Sequence, residues 1–367
     1  MRINEKFDNR MQWVLMWEEY NKNRSKKEYF TEYEVCSDVK IPGVLNYGNG
    51  YLHCGIFQEK NEEGLYTYII RIKHIEKEYK WDINNYSKDG YYFKDGFIGE
   101  LLAIFSVYFQ VRFYLKSTIT GELSPNGMRF RSQHKFQYNK LSPFLNCEMV
   151  SDQKRNWVHR DGLKVFLDKM RKLDQKYHQD VIQSFYWYTE AVKEIGGDHQ
   201  LFFIKMVSAV ESLLGFVEVA KDDLEEKMKQ VTKDREIFNE KDVIEIENWI
   251  RNRKIKSRFL HFFQRYASGY FKGGKRKAQH CFIKKEDLDK YIKRIYDARS
   301  KYLHRGTPMY LSFDMSVENC ELWDLDPTLG MMIDRKTILA NDKLPRLRWF
   351  ERITNHCIKK FIEEKCF

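Results

Sequence analysis

The sequence predicts an α+β protein, with a mixed α/β domain over residues 1–150 and an all-helical domain over residues 151–367. The first half contains short runs that are rich in aromatic and β-branched residues and bounded by turns, as strands are. The second half contains successive segments in which apolar residues recur every three or four positions, as on one face of a helix. Four to six such helices with short connections are typical of a helical bundle.

The predicted first domain combines strands with one buried helix. Residues 51–57 and 65–72 have the composition of strands. Residues 97–109 favour a buried helix, and residues 111–118 favour a strand that follows it. An unbroken strand that starts at Ile104 fits the same pattern, so both readings stay open at this point.

The predicted second domain is a series of amphipathic helices. Apolar residues between Val181 and Ile195 step by three and four, and two glycines then end that helix. Asp198 is a suitable N-cap for the next helix, because its side chain can accept hydrogen bonds from free backbone N–H groups. Further helices are predicted at about 244–266 and, at the end of the chain, about 347–362.

One predicted helix ends with an arginine and a histidine five residues apart, Arg299 and His304. Gly306 and Pro308 follow as stop signals. Five residues along an α-helix rise about 7.5 Å and turn about 140°, so these two side chains point in different directions. A site that uses both therefore requires either that the helix end unwinds or that a second copy of the motif lies opposite.

The residue types at this helix end suit the cleavage of a phosphodiester. A guanidinium can hold a phosphate through two parallel hydrogen bonds, and an imidazole can transfer a proton near neutral pH. The alternative is a purely structural role, in which Arg299 pairs with a carboxylate and His304 hydrogen-bonds a backbone carbonyl at the end of the helix. The sequence pattern alone leaves both open.

The excess positive charge of the chain lies in one acid-free segment, residues 248–285. The chain has 64 basic and 53 acidic residues, and this segment holds twelve of the basic ones, so the remainder has a net charge of −1. A block of one sign attracts a polyanion such as a nucleic acid, although it can also be a solvated face. The aromatic residues between the charges are candidates either for base stacking or for the core.

A second basic group starts the C-terminal helix, with Arg346, Arg348 and Arg352. These side chains either extend the predicted nucleic-acid surface or form a solvated helix end. The sequence favours neither interpretation.

Other features of the sequence exclude several classes of protein. An apolar fraction of 43% excludes a disordered chain, and no run of 18 apolar residues predicts a membrane span. The first residues lack the apolar stretch of a signal peptide. Seven scattered cysteines without a Cys-x-x-Cys pair suit a reducing compartment and argue against structural zinc. We therefore expect a cytoplasmic protein without a metal, a cofactor or a membrane partner.

Three segments of residues 180–367 together resemble the HEPN domain, specifically its Apea-like branch. One is the end of an entry helix at residues 210–214, which reads Val-Glu-Ser-Leu-Leu. Another is the Arg299–Gly306 segment, which matches the family's Arg-Ser-x3-His-x-Gly ending. The third is the closing helix. The predicted first domain resembles no family beyond the variable N-terminal region that precedes an Apea-like HEPN domain.

The resemblance implies a metal-independent RNA endonuclease of a toxin or phage-defence system, active as a homodimer in which two motifs face each other. It implies that Arg299 and His304 are catalytic, that Glu211 orients Arg299, and that Ser300 supports them at a position where many members carry Asn, Asp or His. The N-terminal domain would then choose the RNA or respond to an unknown trigger or inhibitor. A non-catalytic module that binds nucleic acid or protein is the alternative. The predicted RNA-binding residues are Arg251, Arg253, Lys254, Lys256, Arg258, Lys275, Arg276, Lys277 and Arg305.

Overall fold

The structure is a computed structural model, and it describes the greater part of the chain in separate stretches. The described residues are 10–23, 26–40, 44–58, 64–75, 96–122, 129–136, 138, 160–217, 255–271, 283–309, 332–333, 336–337 and 344–366.

The described residues form eight α-helices, a six-stranded sheet and a two-stranded hairpin, which confirms the α+β class. The first half contains α1 (Gln12–Lys22), β1 (Tyr29–Ser37), β2 (Leu45–Tyr47), β3 (Leu52–Gln58), β4 (Tyr66–His74), α2 (Gly96–Phe109), β5 (Tyr114–Glu122) and β6 (Arg129–Gln133). The second half contains α3 (Arg160–Lys172), α4 (Gln175–Lys193), α5 (His199–Glu211), α6 (described over 255–266), α7 (Leu288–Arg305), β7 (Met332–Ile333), β8 (Lys336–Thr337) and α8 (Leu347–Lys365). The β7–β8 hairpin shows that the second half is not entirely helical.

By its contacts, the chain divides into two compact units. The first comprises Met1–Lys205 with Ile362–Phe367, and the second comprises Met206–Phe361. Helices α3 and α4 therefore lie in the same unit as the sheet. The predicted domain boundary at residues 150 and 151 falls outside the described residues.

The sheet of the first unit is antiparallel throughout, with the strand order β2-β3-β4-β1-β5-β6. Because side chains alternate along each strand, the sheet has two different faces. The inner face packs against helices: Tyr33 contacts Phe97 of α2, and Tyr47 contacts Trp13 of α1. The outer face carries Glu32, Arg71 and other charged side chains.

Helix α2 and its connection to β5 settle an ambiguity of the sequence. The helix ends at Phe109 and the strand begins at Tyr114, so the helix-then-strand interpretation is correct and the unbroken strand from Ile104 is wrong. Gln110 has a left-handed backbone with a φ of 57°, which ends the helix. Most of α2 is buried, as its apolar composition predicts.

A buried carboxyl group links α2 to the start of α1. Glu100 is only 5% exposed, and its Oε2 accepts the backbone N–H groups of Gln12 at 2.8 Å and Trp13 at 3.3 Å. These are free donors of the first turn of α1. Burial raises the pKa of Glu100 to about 8, although the two hydrogen bonds act in the opposite direction.

This raised pKa predicts that Glu100 makes stability depend on pH. Between pH 4.5 and pH 8, the folded chain retains a proton at Glu100 that the unfolded chain has lost. The free energy of unfolding should therefore fall as pH rises through this window, by up to about 1.4 kcal/mol per pH unit. Urea denaturation at several pH values should show this slope flattened in Glu100→Gln and unchanged in Glu19→Gln, an exposed position of α1. Equal slopes in all three proteins would contradict the prediction.

The second unit is built around aromatic side chains of α6. Phe259, Phe262 and Phe263 are fully buried, and Tyr266 is 3% exposed. Phe263 contacts Phe350 of α8, with ring centroids 6.1 Å apart, and Phe259 contacts Tyr296 of α7 at 5.0 Å. The core of this unit therefore fixes α7, the helix that carries the Arg299–His304 motif, against α6 and α8.

Two predicted helix ends are confirmed, the start of α5 and the end of α7. Asp198 accepts the backbone N–H groups of Gln200 and Leu201, at 2.8 and 3.2 Å, and so acts as the predicted N-cap of α5. Gly306 follows α7 in a left-handed conformation, with a φ of 61°. No helix in the described part of the chain has the length and the apolar character needed to cross a membrane.

Candidate active site

Helix α7 remains regular through the whole motif. It extends to Arg305, and the N–H of Gly306 donates to the carbonyl of Tyr302 at 2.9 Å. Of the two possibilities raised by the sequence, the unwound helix end is therefore not observed. Along a regular helix, Arg299 and His304 diverge by about 140°, so one copy of α7 does not direct both side chains to a common point.

Arg299 forms the ion pair that the resemblance implies. Its Nη2 donates to Oε2 of Glu211 at 2.6 Å, and the two side chains are 18% and 22% exposed. Glu211 is the last residue of α5, where the partial negative charge of the helix end disfavours a carboxylate. The guanidinium of Arg299 therefore offsets an unfavourable position for Glu211, while Glu211 fixes the orientation of Arg299.

Tyr296 is the third member of this cluster. Its hydroxyl donates to Oε1 of Glu211 at 3.4 Å, and its ring lies 6.0 Å from the Arg299 guanidinium. Burial raises the pKa of Tyr296 to about 12, with the charge of Glu211 as a further cause, so the hydroxyl keeps its proton. Burial also raises the pKa of Glu211, against the opposing effects of Arg299 and Tyr296.

Arg299 retains a hydrogen-bonding capacity that the described part of the chain does not use. Its Nε is buried and has no hydrogen-bond partner among the described residues. A buried donor without an acceptor is unfavourable by about 1–3 kcal/mol. An anion that reaches the guanidinium would satisfy this donor, so the site has the chemistry to accept a phosphate oxygen next to Glu211.

The other motif residues are more accessible. His304 and Arg305 are exposed, Ser300 is half-buried, and Leu303 is 49% exposed. Among the described residues, the structure thus brings Arg299 and Glu211 together but leaves His304 outside their cluster. An exposed imidazole at the end of the helix is open to a ligand or to another chain.

The acid-free segment is described only in part. Lys256 and Arg258 lie on α6 and are half-buried, and Nζ of Lys256 forms an ion pair with Asp297 of α7 at 2.5 Å. The other predicted RNA-binding residues of the segment, Arg251, Arg253, Lys254, Lys275, Arg276 and Lys277, lie outside the described residues. The buried phenylalanines of α6 belong to the core, so base stacking is excluded for them.

The basic group at the start of α8 is not a surface. Arg346 and Arg348 are 2% and 4% exposed, and Arg348 donates to Glu351 at 2.8 Å in a fully buried pair. Neither of the two interpretations from the sequence is correct for these two arginines. Buried charges need close partners, and such partners depend on the tertiary structure.

Sequence reasoning identified Arg299 and Glu211 but missed their neighbour Tyr296. Tyr296 lies three residues before Arg299, on the same side of the helix, and this spacing was a usable signal.

In the described part of the chain, no three His, Cys, Asp or Glu side chains lie together in a way that could hold a metal ion. Comparisons of the chain with protein-family models, with curated proteins and with solved structures find no match.

Proposed function

We propose that this protein is an RNA endonuclease of the HEPN type, with a HEPN-like helical bundle in its second half. The observation that carries the proposal is the Arg299 guanidinium, held by Glu211 with one buried donor still unused, five residues before an exposed histidine at the end of the same helix. The sequence resemblance of the 299–306 segment supports the same function.

The proposed reaction uses the RNA's own 2′-hydroxyl as the nucleophile. A neutral His304 imidazole accepts the proton of the 2′-hydroxyl, whose oxygen forms a new bond to phosphorus. The bond from phosphorus to the 5′-oxygen breaks, and a protonated imidazole supplies the proton of that leaving group. Arg299 binds the phosphate and offsets the charge that builds on it. The products are a 2′,3′-cyclic phosphate and a 5′-hydroxyl end, and the reaction needs no metal.

A homodimer provides the geometry that one copy lacks. Because α7 is regular and its two site residues diverge, a two-fold axis next to the helix end would bring two Arg299–His304 pairs together. The second histidine of such a site supplies the second proton-transfer group. Leu303 lies between the two site residues in sequence and exposes 49% of its surface, so it is a suitable apolar contact for the partner.

This assembly predicts that Leu303→Glu separates the dimer. Two carboxylates would face each other across the axis, and an exposed position should tolerate the change in the monomer. Light scattering should report a monomer with a thermal unfolding temperature close to that of the wild type and with little RNA cleavage. Leu201→Glu, at a leucine of α5 that is 37% exposed, is the matched control and should remain dimeric and active. A Leu303→Glu dimer, or an active wild-type monomer, would rule out this interface.

The remaining features fit a regulated nuclease of the cytoplasm, in a toxin or phage-defence system. Arg305, Lys256, Arg258 and the other basic residues of the acid-free segment would bind the RNA backbone. Residues 1–150 would select the RNA or respond to a trigger or an inhibitor, because an unrestrained ribonuclease would harm its host.

A non-catalytic binding module is the second candidate, and one observation favours it. Arg299 already has an ionic partner within its own chain, Glu211, as a structural arginine would. The two candidates differ in the consequence of removing His304. A nuclease loses cleavage while it still binds RNA, whereas a binding module has no cleavage to lose.

A further inference from the structure

The outer face of the sheet carries charged side chains on four neighbouring strands. The register of β1 with β4 and β5 places Glu32 opposite Arg71 and Ile119, and β6 adds Arg131 opposite Ile119. Residues directly opposite in an antiparallel pair lie on the same face. Helices α1 and α2 pack on the inner face, so these side chains lie on the side away from both helices.

Two arginines on this face share one aromatic ring. Phe30 is on the outer face but only 2% exposed, and the guanidiniums of Arg71 and Arg129 lie 5.4 and 5.5 Å from its ring centroid. A cation over an aromatic ring is held in place while its charge remains available. Phe30 therefore orders two positive charges at neighbouring points of the surface.

The carboxylates of the face do not neutralise all of its cations. Glu32 pairs with Arg71, and Glu34 pairs with both Lys116, at 2.9 Å, and Arg131, at 2.5 Å. Arg129 pairs with none of the described carboxylates. Lys73, opposite Phe30, pairs with Glu28 at 3.0 Å. In the described part of this face, five basic side chains thus accompany three carboxylates, and the side chains of Arg71 and Arg131 are 46% and 52% exposed. The surface has an excess of positive charge that suits an anion.

The edge strand β6 adds an exposed aromatic ring. Its five residues are all exposed, and Phe130, between Arg129 and Arg131, is 67% exposed. An exposed phenylalanine within a basic strand is typical of surfaces that bind single-stranded nucleic acid, where a base stacks on the ring and the arginines bind phosphates. Phe130 points to the opposite side of the strand from the two arginines, so a ligand that reaches all three must cross the edge of the sheet.

We propose that Arg71, Lys116, Arg129, Phe130 and Arg131 form an outer basic surface that binds single-stranded RNA across the edge of the sheet. The choice of RNA as the ligand rests on the proposed function, but the binding does not require that the protein cut RNA. The surface would give residues 1–150 a role in recruiting the substrate. An acidic protein segment is the competing occupant, and Phe130 is the feature that favours RNA over it.

The test measures RNA binding by the full chain without cleavage. In a His304→Ala background, fluorescence anisotropy follows a labelled 20-nucleotide single-stranded RNA over a range of salt concentrations. Phe130→Ala should weaken binding by at least about fivefold, through the loss of a stacked base. Arg129→Gln should weaken binding and lower the salt slope by about 0.7, the value for one phosphate contact.

The controls make the same chemical changes elsewhere in the first unit. Lys176→Gln removes an exposed charge of α4, and Val165→Ala truncates a side chain of α3 that is 54% exposed. Both should bind RNA as the parent protein does. RNA affinity that is unchanged in Phe130→Ala and Arg129→Gln would overturn the inference. The inference would also be overturned if Phe130→Ala and Arg129→Gln lost binding to a poly-glutamate peptide while their RNA binding persisted. A protein that binds RNA through this surface but cuts none would contradict the nuclease and leave this inference standing.

Discussion

We expect Arg299→Ala and His304→Ala each to lower the rate of RNA cleavage by at least about a hundredfold. His304 would supply the proton transfers, and the exposed position of its side chain makes it dispensable for folding. Arg299 would bind the phosphate in the transition state, so its loss should lower kcat and not only affinity. The measurement is single-turnover cleavage of a labelled RNA, with circular dichroism to show that each variant is folded.

Two further variants separate catalysis from stability. Arg299→Ala also removes the partner of Glu211, so a drop in activity could reflect a damaged fold. Arg299→Lys keeps the positive charge but loses the planar fork, and it should remain folded and still cut RNA slowly. Lys301→Ala, at an exposed position of the same helix, should behave as the wild type. Wild-type rates in both alanine variants would show that the site is assigned wrongly.

The second large effect should follow from Glu211→Gln. The variant keeps the size of the side chain but removes the charge that holds Arg299, and a hydrogen bond to a charged group is worth about 1.5–3 kcal/mol. We therefore expect kcat to fall by about 10- to 150-fold with little change in KM, because Glu211 would act on the reaction through Arg299 and not on RNA directly.

Tyr296→Phe is the matched test of the same cluster. The hydrogen bond from Tyr296 to Glu211 is long, at 3.4 Å, so its loss should have a much smaller effect than Glu211→Gln. Combining Glu211→Gln with Arg299→Lys should cost less than the sum of the single effects, because both changes disrupt one interaction. Strictly additive effects would mean that Glu211 and Arg299 act independently.

The sequence predicted several of the elements whose pattern is local. Helix α7 has a regular apolar stripe and a glycine just past its end, and the buried helix α2 is continuously apolar. By contrast, β1 and β6 were missed, and so were α1, β2 and α3. In β1 two of the outer positions are glutamates that need partners on other strands, and β6 has no buried side chain at all. Their strand structure comes from the pairing with β4 and β5, which the sequence of each segment does not contain.

Some features of the candidate site can likewise be read from the sequence, whereas others depend on tertiary contacts. Arg299 and its distance along the helix from His304 can be read from the sequence, and the resemblance gave Glu211. Three other features depend on contacts between helices. They are the unused donor of Arg299, the hydroxyl of Tyr296 next to Glu211, and the burial of Arg346 and Arg348. A buried charge has no sequence signature of its own, because the same residue is exposed when its partners are absent.

The most direct test of the proposed nuclease is an analysis of RNA ends after incubation in EDTA. Purified wild-type protein and the His304→Ala variant are each mixed with total RNA, and the products are labelled with a polynucleotide kinase without prior phosphatase treatment. We expect discrete fragments for the wild type only, with 5′-hydroxyl ends that accept the label and with 2′,3′-cyclic phosphates at the other ends. Intact RNA with both proteins, or identical fragments with both, would contradict it.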